Sequence, residues 1–177
     1  MIRPRLFALV IACCASACSQ PTPATAQELH VITPNYSLTL NGDWRELPSD
    51  DPEQKTFVSR AHDVRLVISS LDVTGSQVDP QDAAQHLVQM RMNAERQAAE
   101  EYGRLMTIAE PVVAPQPWGA MVAYYGHDNT GRQFNFAGMV TRRQVLQTYV
   151  ESPTLSGDEL FAVFQEIQQG LSFDESP

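Results

Sequence analysis

Short stretches in which apolar and polar residues alternate recur along the chain, and this period of two is typical of β-strands. The stretches are residues 30–32, 36–40, 43–47, 56–58, 64–71, 118–125, 133–140 and 144–150. Asn41-Gly42 and residues 128–131 separate neighbouring stretches with turn-forming residues, which predicts hairpins. Residues 64–71 are apolar nearly throughout, as in an inner strand. Trp44, which follows a predicted turn, is expected to pack against the core.

Apolar residues spaced three and four apart predict a helix in the middle of the chain. It begins at Asp79, an N-cap residue followed by Pro80 at the first helical position, and Gly103 ends it. Its predicted core-facing stripe is Ala83, Leu87, Met90, Ala94, Ala98 and Tyr102. Its predicted solvent-facing residues are Arg91, Glu95, Arg96, Glu100 and Glu101. One face of this helix is therefore expected to lie on a sheet.

A second helix is predicted near the end of the chain, where Ser156 and Glu159 have the spacing of a capping box. Gly170 fits a C-terminal cap. The predicted apolar face consists of Leu160, Phe161, Val163, Phe164, Ile167 and Leu171. The order β-β-β-α-β-β-β-α, with tight turns between neighbouring strands, predicts an α+β domain in which helices pack on an antiparallel β-sheet. Nearly all-apolar strands indicate that both faces of the sheet are covered.

The amino terminus has the three parts of a bacterial secretory signal. Arg3 and Arg5 give it a positive start, residues 6–12 are apolar, and small residues predominate over residues 12–17. The apolar stretch is too short to span a bilayer permanently. Residues 1–17 are therefore predicted to be a signal peptide that directs export across the inner membrane.

All three cysteines, Cys13, Cys14 and Cys18, lie within this signal or at its edge. A cysteine at this place resembles the bacterial lipobox, in which the thiol receives a diacylglycerol and the chain is cut just before it. Cys18 is the preferred lipidation site. Cys13 has better-matching residues before it, but it would leave a very short apolar stretch. Cleavage after Ala26 would instead release a soluble periplasmic protein.

The segment 18–28 is rich in Pro, Thr, Ala and Gln, and such a composition cannot build a core. It is predicted to tether the anchor to a single domain at residues 29–177, because a chain of 177 residues buries one core of ordinary size. Ser19, rather than an aspartate, follows the lipidation site. By the enterobacterial sorting rule this favours the outer membrane, with the domain facing the periplasm.

Several features together resemble the PsbP-like and DcrB-like envelope domains. They are Tyr36-Ser37-Leu38-Thr39-Leu40 followed by Gly42-Asp43-Trp44, the central capped helix, the meander through residues 141–150, and the closing helix ending Leu171-Ser172-Phe173. The resemblance covers about residues 30–173. It implies an antiparallel sheet between helices, used by relatives as a binding or accessory module. Some cytoplasmic relatives are chaperones for secreted toxins, and the signal peptide sets this chain apart from them.

The chain is acidic, with 12 Lys and Arg against 21 Asp and Glu and a net charge of −9. An acidic surface repels nucleic acid and anionic lipid headgroups, so neither is an expected partner, and membrane attachment is expected only through the N-terminal lipid. A basic protein partner suits this charge. A requirement for solubility explains it equally well.

The residue patterns of enzymes and metal sites are missing from the domain. It has no Gly-x-Ser-x-Gly and no cysteine after Cys18, and its histidines occur singly. His62-Asp63 and His127-Asp128 place an imidazole beside a carboxylate, but neighbouring residues point apart and both pairs lie in predicted turns. We therefore expect no catalytic residue, no metal site and no cofactor.

Aromatic residues offer a better indication of binding. Trp118 lies at the start of a predicted strand beside proline residues, and Tyr124 and Tyr125 end that strand. Exposed aromatic residues beside rigid loops often anchor protein partners, so these three are the predicted partner-binding residues. The alternative for Trp118 is a place at the edge of the core, since tryptophan is usually mostly buried.

These observations favour a non-catalytic envelope lipoprotein that binds a protein partner in the periplasm. An alternative is a periplasmic immunity protein that neutralises a secreted antibacterial toxin, because small size, export, a lipid anchor and acidity all fit that role. An envelope hydrolase is the least favoured hypothesis.

Replacing Cys18→Ser is expected to release the protein from membranes, because the thiol that would carry the lipid is gone. Metabolic labelling with a fatty-acid analogue and membrane fractionation measure this, and Cys14→Ser is the matched control. Unchanged acyl labelling of the Cys18→Ser protein would move the anchor to Cys13 or Cys14.

Overall fold

A computed structural model describes residues 28–173. The predicted signal peptide, the predicted lipidation site Cys18 and residues 18–27 of the predicted tether lie outside these residues, whereas Glu28, the last residue of that tether, begins the first strand. The first half contains β1 (Glu28–Ile32), β2 (Tyr36–Asn41), β3 (Arg45–Leu47), β4 (Gln54–Ser59), β5 (Val64–Asp72) and α1 (Pro80–Glu101). The second half contains β6 (Met106–Ile108), β7 (Val112–Gln116), β8 (Gly119–Asp128), β9 (Gln133–Val140), β10 (Gln144–Ser152), α2 (Gly157–Gly170) and β11 (Leu171–Phe173).

The described strands form two antiparallel sheets. The large sheet has the order β3-β4-β5-β10-β9-β8-β6, and β7 also pairs with β8. The small sheet has the order β1-β2-β11. The long strands β5, β10, β9 and β8 form the centre of the large sheet, and tight turns join β8 to β9 and β9 to β10. The predicted α+β class, with an antiparallel sheet and helices packed on it, is confirmed.

The first hydrophobic core lies between one face of the large sheet and a layer made by α2 and the small sheet. Leu160, Phe164 and Ile167 are buried from the side of α2. Trp44 joins this core and is 8% exposed, as predicted. Ser156 and Glu159 form the predicted capping box, which satisfies amide groups at the start of α2 and fixes where the helix begins.

The second core lies under α1 on the opposite face of the large sheet. The helix begins as predicted, since the Asp79 carboxylate accepts a hydrogen bond of 2.8 Å from the Gln81 amide and Pro80 follows the cap. Gly103 follows the helix with a φ of +64°, a left-handed conformation that glycine adopts without strain. Helices therefore cover both faces of the large sheet, as the apolar strands indicated.

The predicted face of α1 is wrong in detail. Met90 is 51% exposed and Tyr102 is 74% exposed, although both belonged to the predicted core stripe. Ala94 and Ala98 are exposed as well. The buried apolar residues are Ala84, Leu87, Val88 and Ala99. The helix is rotated relative to the prediction: along its second half, Arg91 and Glu95 lie with Ala99 on the side that faces the sheet.

The predicted order has six strands, whereas residues 28–173 contain eleven. It counts three strands before α1 where the structure has five, and no predicted stretch covers β6, β7 or β11. Strands of three residues are too short for alternation to be visible. β7 is longer, but it contains Pro115, which lacks an amide proton and fits only a strand edge. Neither helix within residues 28–173 is both long enough and apolar enough to cross a membrane.

Gly170 is the last residue of α2, and it does not serve as the predicted C-cap. The cap is Leu171, whose φ of −93° and ψ of 129° lead directly into β11. A Cβ atom on Gly170 would lie 2.1 Å from the carbonyl oxygen of Thr39. Glycine is required here because the end of the helix touches the backbone of β2.

Gly170→Ala is therefore expected to destabilise the domain by about 1 to 3 kcal/mol, the usual cost of overpacking. Gly157→Ala is the matched control in the same helix, since its Cβ would make an ordinary contact of 3.6 Å with Gln133. Urea denaturation of both variants measures the free energies of unfolding. Equal stabilities would contradict the close approach of α2 to β2.

Candidate functional site

The three aromatic residues predicted to bind a partner have different surroundings. Trp118 is half-buried against the first core, where its ring meets Phe173 edge-on with centroids 5.2 Å apart. Tyr124 is 3% exposed and lies in the second core, stacked on Phe136 at 4.8 Å. Tyr125 is 63% exposed. Burial removes Tyr124 from a partner's reach and covers most of Trp118, so Tyr125 is the most exposed of the three.

The two neighbouring tyrosines differ because successive side chains of a strand point to opposite faces of the sheet. Tyr124 points under α1, and its burial raises the pKa of its phenol to about 12. Tyr125 points to the other face, near the start of α2. The sequence predicts that the two side chains point to opposite faces. It does not predict which of the two faces is covered at this position.

Tyr125 borders a surface cavity of about 300 Å³, the aromatic pocket, between the β8–β9 hairpin and the first two turns of α2. Phe161, on α2, lies on its other side and is 47% exposed. His127, Asn135 and Asp158 supply polar groups to its wall. Phe161 belonged to the predicted apolar face of α2, and its position next to the buried Phe164 made it indistinguishable from a core residue by spacing alone.

The aromatic pocket can hold a side chain with an apolar stem and a positive end. Ring faces attract cations and pack against methylene groups, and the carboxylate of Asp158 adds a negative charge at the wall. Both rings stand on regular elements rather than on loops, so their positions are held by the sheet and by the capped helix.

A buried polar network lies beneath the second half of α1. Its helix residues are Arg91 and Glu95, both predicted to face solvent, and their ion pair measures 3.3 Å. The Arg91 guanidinium lies over the rings of Phe136 and Tyr149, at 5.5 and 5.8 Å from their centroids. Burial raises the pKa of Glu95 and also that of the Tyr149 phenol. The helix thus places charges on an aromatic surface of the sheet.

Arg132, at the β8–β9 turn, joins this network to the sheet. Its Nε donates to Asp128 Oδ2 at 3.1 Å, and its Nη1 donates to Glu151 Oε2 at 2.8 Å and to Tyr149 Oη at 3.2 Å. The Asp128 side chain has no solvent exposure. Burial opposes its ionisation, but hydrogen bonds from Thr130 and the charge of Arg132 outweigh burial and lower the pKa of Asp128.

The sequence pattern did not predict this network of charged residues. Asp128 and Arg132 frame a predicted turn, where charged residues are usually solvated, and Glu95 is far away in the sequence. The signals that were present are the four-residue spacing between Asp128 and Arg132 and the placement of Glu151 on the same face as Tyr149.

Neither histidine–aspartate pair is joined by a hydrogen bond within the described residues. His127 borders the aromatic pocket, while Asp128 points to the other face. The Asp63 carboxylate accepts a hydrogen bond from Thr154 Oγ1 at 3.2 Å, and His62 lies in a small cleft beside Trp44. No group of three or more His, Cys, Asp or Glu side chains in residues 28–173 is arranged to hold a metal ion.

A solved structure of similar architecture is that of cyanobacterial PsbP (CyanoP) from Synechocystis sp. PCC 6803. Its TM-score is 0.62 over 88% of this chain and 98% of that chain, with 10% sequence identity. At this identity the likeness establishes the fold alone, and it confirms the expected resemblance to PsbP-like domains. No protein-family model and no curated protein matches the sequence.

Two further structures show weaker likeness. LpqN, described as involved in cell envelope biogenesis of Mycobacterium tuberculosis, has a TM-score of 0.45 and 17% identity, over 87% of this chain and 93% of that chain. A protein from Bacteroides thetaiotaomicron VPI-5482 has a TM-score of 0.42 and 11% identity, over 82% of this chain and 48% of that chain.

The ion pairs of Arg132 and Arg65 with the shared partner Glu151 give a matched test of the network. Arg132→Gln is expected to cost about 3 to 5 kcal/mol of stability, because it leaves the buried Asp128 carboxylate without this charged partner. Arg65→Gln is expected to cost less than about 1 kcal/mol, because its side chain is 53% exposed. Urea denaturation measures both, and similar losses would contradict a structural role for Arg132.

Proposed function

We propose that this chain is a non-catalytic lipoprotein of the bacterial envelope whose domain binds a protein partner through the aromatic pocket. Its lipid is attached at Cys18, and the domain faces the periplasm from the outer membrane. The observation that carries the proposal is the exposed pair Tyr125 and Phe161, which flank one cavity of about 300 Å³.

Exposed aromatic rings around a cavity are a common basis for protein recognition. Tyrosine is among the residues that contribute most to protein interfaces, because a large rigid ring is buried at little cost in side-chain entropy. Tyr125 keeps 63% of its surface in solvent and Phe161 keeps 47%. Covering both rings would remove apolar surface from water and stabilise a complex.

The partner is expected to be basic and to place a lysine or arginine side chain in the aromatic pocket. Asp158 would pair with its charge while the two rings pack against its stem. The net charge of −9 would also accelerate the approach of a positively charged protein. A basic toxin would be one such partner. If the partner is a toxin, the protein acts as an immunity protein.

The proposal is tested by replacing Tyr125 with a photo-crosslinking phenylalanine analogue in the full chain, expressed in its own bacterium. Irradiation is expected to join the protein to one basic partner, which mass spectrometry identifies. The same analogue at Tyr102 is the matched control, since Tyr102 is 74% exposed but lies outside the pocket.

Phe161→Ala, combined with the analogue at position 125, is expected to reduce the crosslink at least about tenfold, because it removes the opposite wall of the pocket. Circular dichroism verifies that this variant is folded. Crosslinks of equal yield from positions 125 and 102, or none from position 125, would contradict binding at the pocket. An acidic partner would contradict the proposed charge.

A further inference from the structure

We propose that a second site, on the opposite face of the large sheet from the aromatic pocket, binds a phosphate group carried by a small molecule or a lipid. The site is an open cavity of about 390 Å³, the arginine groove, lined by Arg60, Arg65, Arg104 and Arg132 together with Asp63 and Glu151. It is independent of the proposed partner binding.

Four different parts of the fold bring these arginines together. Arg60 directly follows β4, Arg65 lies at the start of β5, and Arg132 directly precedes β9. Arg104 follows α1. No short sequence motif contains them, so the groove exists only because the ends of these elements meet at one end of the large sheet.

Two carboxylates hold three of the arginines in a row. Glu151 contacts Arg132 at 2.8 Å and Arg65 at 3.3 Å. Asp128 contacts Arg132 at 3.1 Å and Arg104 at 3.5 Å. The alternating order of positive and negative groups fixes the guanidinium groups before any ligand arrives, which lowers the entropy cost of binding.

The fourth arginine is positioned through its backbone. The Arg60 amide donates to Asp43 Oδ2 at 3.0 Å, and the same carboxylate accepts from the Ala61 amide at 2.8 Å. Within the described residues no carboxylate lies within ion-pair distance of the Arg60 side chain. The β4–β5 turn therefore presents an exposed guanidinium whose charge is not compensated by a direct contact.

The local charge is opposite to that of the whole chain. Four arginines and two acidic residues, Asp63 and Glu151, line the groove, so its lining has an excess of two positive charges in a protein of net charge −9. Asp128 and Glu95 pair with Arg132 but do not line the groove. Arg3 and Arg5 precede the domain, and four of the remaining ten Lys and Arg residues line this one cavity. Such a concentration indicates a site for an anion.

The donors that remain suit a phosphate group. A guanidinium has five N–H donors, and Arg65 and Arg104 each use one of them in an ion pair. Their side chains are 53% and 38% exposed, so their other donors reach the groove. Phosphate offers several charged oxygens to several arginines at once. Asp63 and Glu151 on the wall oppose a long polyanion such as nucleic acid.

Titration of the full chain with inorganic phosphate, followed by amide NMR shifts, tests the proposal. Shifts are expected at Arg60, Arg104 and Thr130, which line the groove, and sodium chloride at matched ionic strength should not reproduce them. Arg65→Gln is expected to weaken binding about tenfold, because a charge-assisted contact is lost. Arg96→Gln, on the exposed side of α1, is the matched control and should bind as the wild type does.

Asp63→Asn is the second variant, and it is expected to raise the affinity for phosphate, whereas Arg65→Gln lowers it. Asparagine also tolerates the φ of 51° at this position, so the turn should be retained while a repelling charge is removed. Phosphate should bind about threefold more tightly. A purely structural role of these residues would predict no gain. Loss of affinity here, or identical shifts with chloride, would overturn the proposal.

The two sources of the phosphate are separated with vesicles. Retention on phosphatidylcholine vesicles that contain phosphatidic acid, reduced by Arg65→Gln, assigns the groove to a lipid headgroup. Binding of inorganic phosphate without vesicle retention assigns it to a small soluble phosphate compound. Failure to bind either one would overturn the proposal, whatever the crosslinking at Tyr125 shows.

Discussion

The two-sided character of the large sheet determines most of what this domain can do. Along β8, β9 and β10, successive side chains point to opposite faces, and each face is covered by a different layer. One face packs against α2 and the small sheet, the other against α1. Every residue of these strands therefore belongs to one of two environments, and neighbours in the sequence have unrelated roles, as Tyr124 and Tyr125 illustrate.

The contact between α1 and the sheet combines an apolar part with a charged part. Leu87 and Val88 pack in the ordinary way, whereas Arg91 and Glu95 meet aromatic rings and the ion pairs of Arg132. A buried network of this kind is a poor source of stability compared with apolar packing. The network instead fixes the position of α1 on the sheet, because the buried charges are paired only when the helix lies in this position.

Both proposed binding surfaces are at the same end of the sheet and share the β8–β9 hairpin. Gln133 borders the aromatic pocket and Arg132, its neighbour, borders the arginine groove. The PsbP-like architecture supplies the rigid strands, while the side chains at this end define the chemistry. One hairpin can therefore serve two ligands on opposite faces without either blocking the other.

Periodicity and caps in the sequence determined both helices with their starts at Asp79 and Ser156, the longer strands and the α+β class, because these are local properties of the chain. Only the tertiary structure decided the rotation of α1, the exposure of Tyr125 and the gathering of four arginines. Local spacing states which residues share a face, but not what covers that face. Charges distant in sequence pair only after the strands have found their register, as Glu95 and Arg132 do.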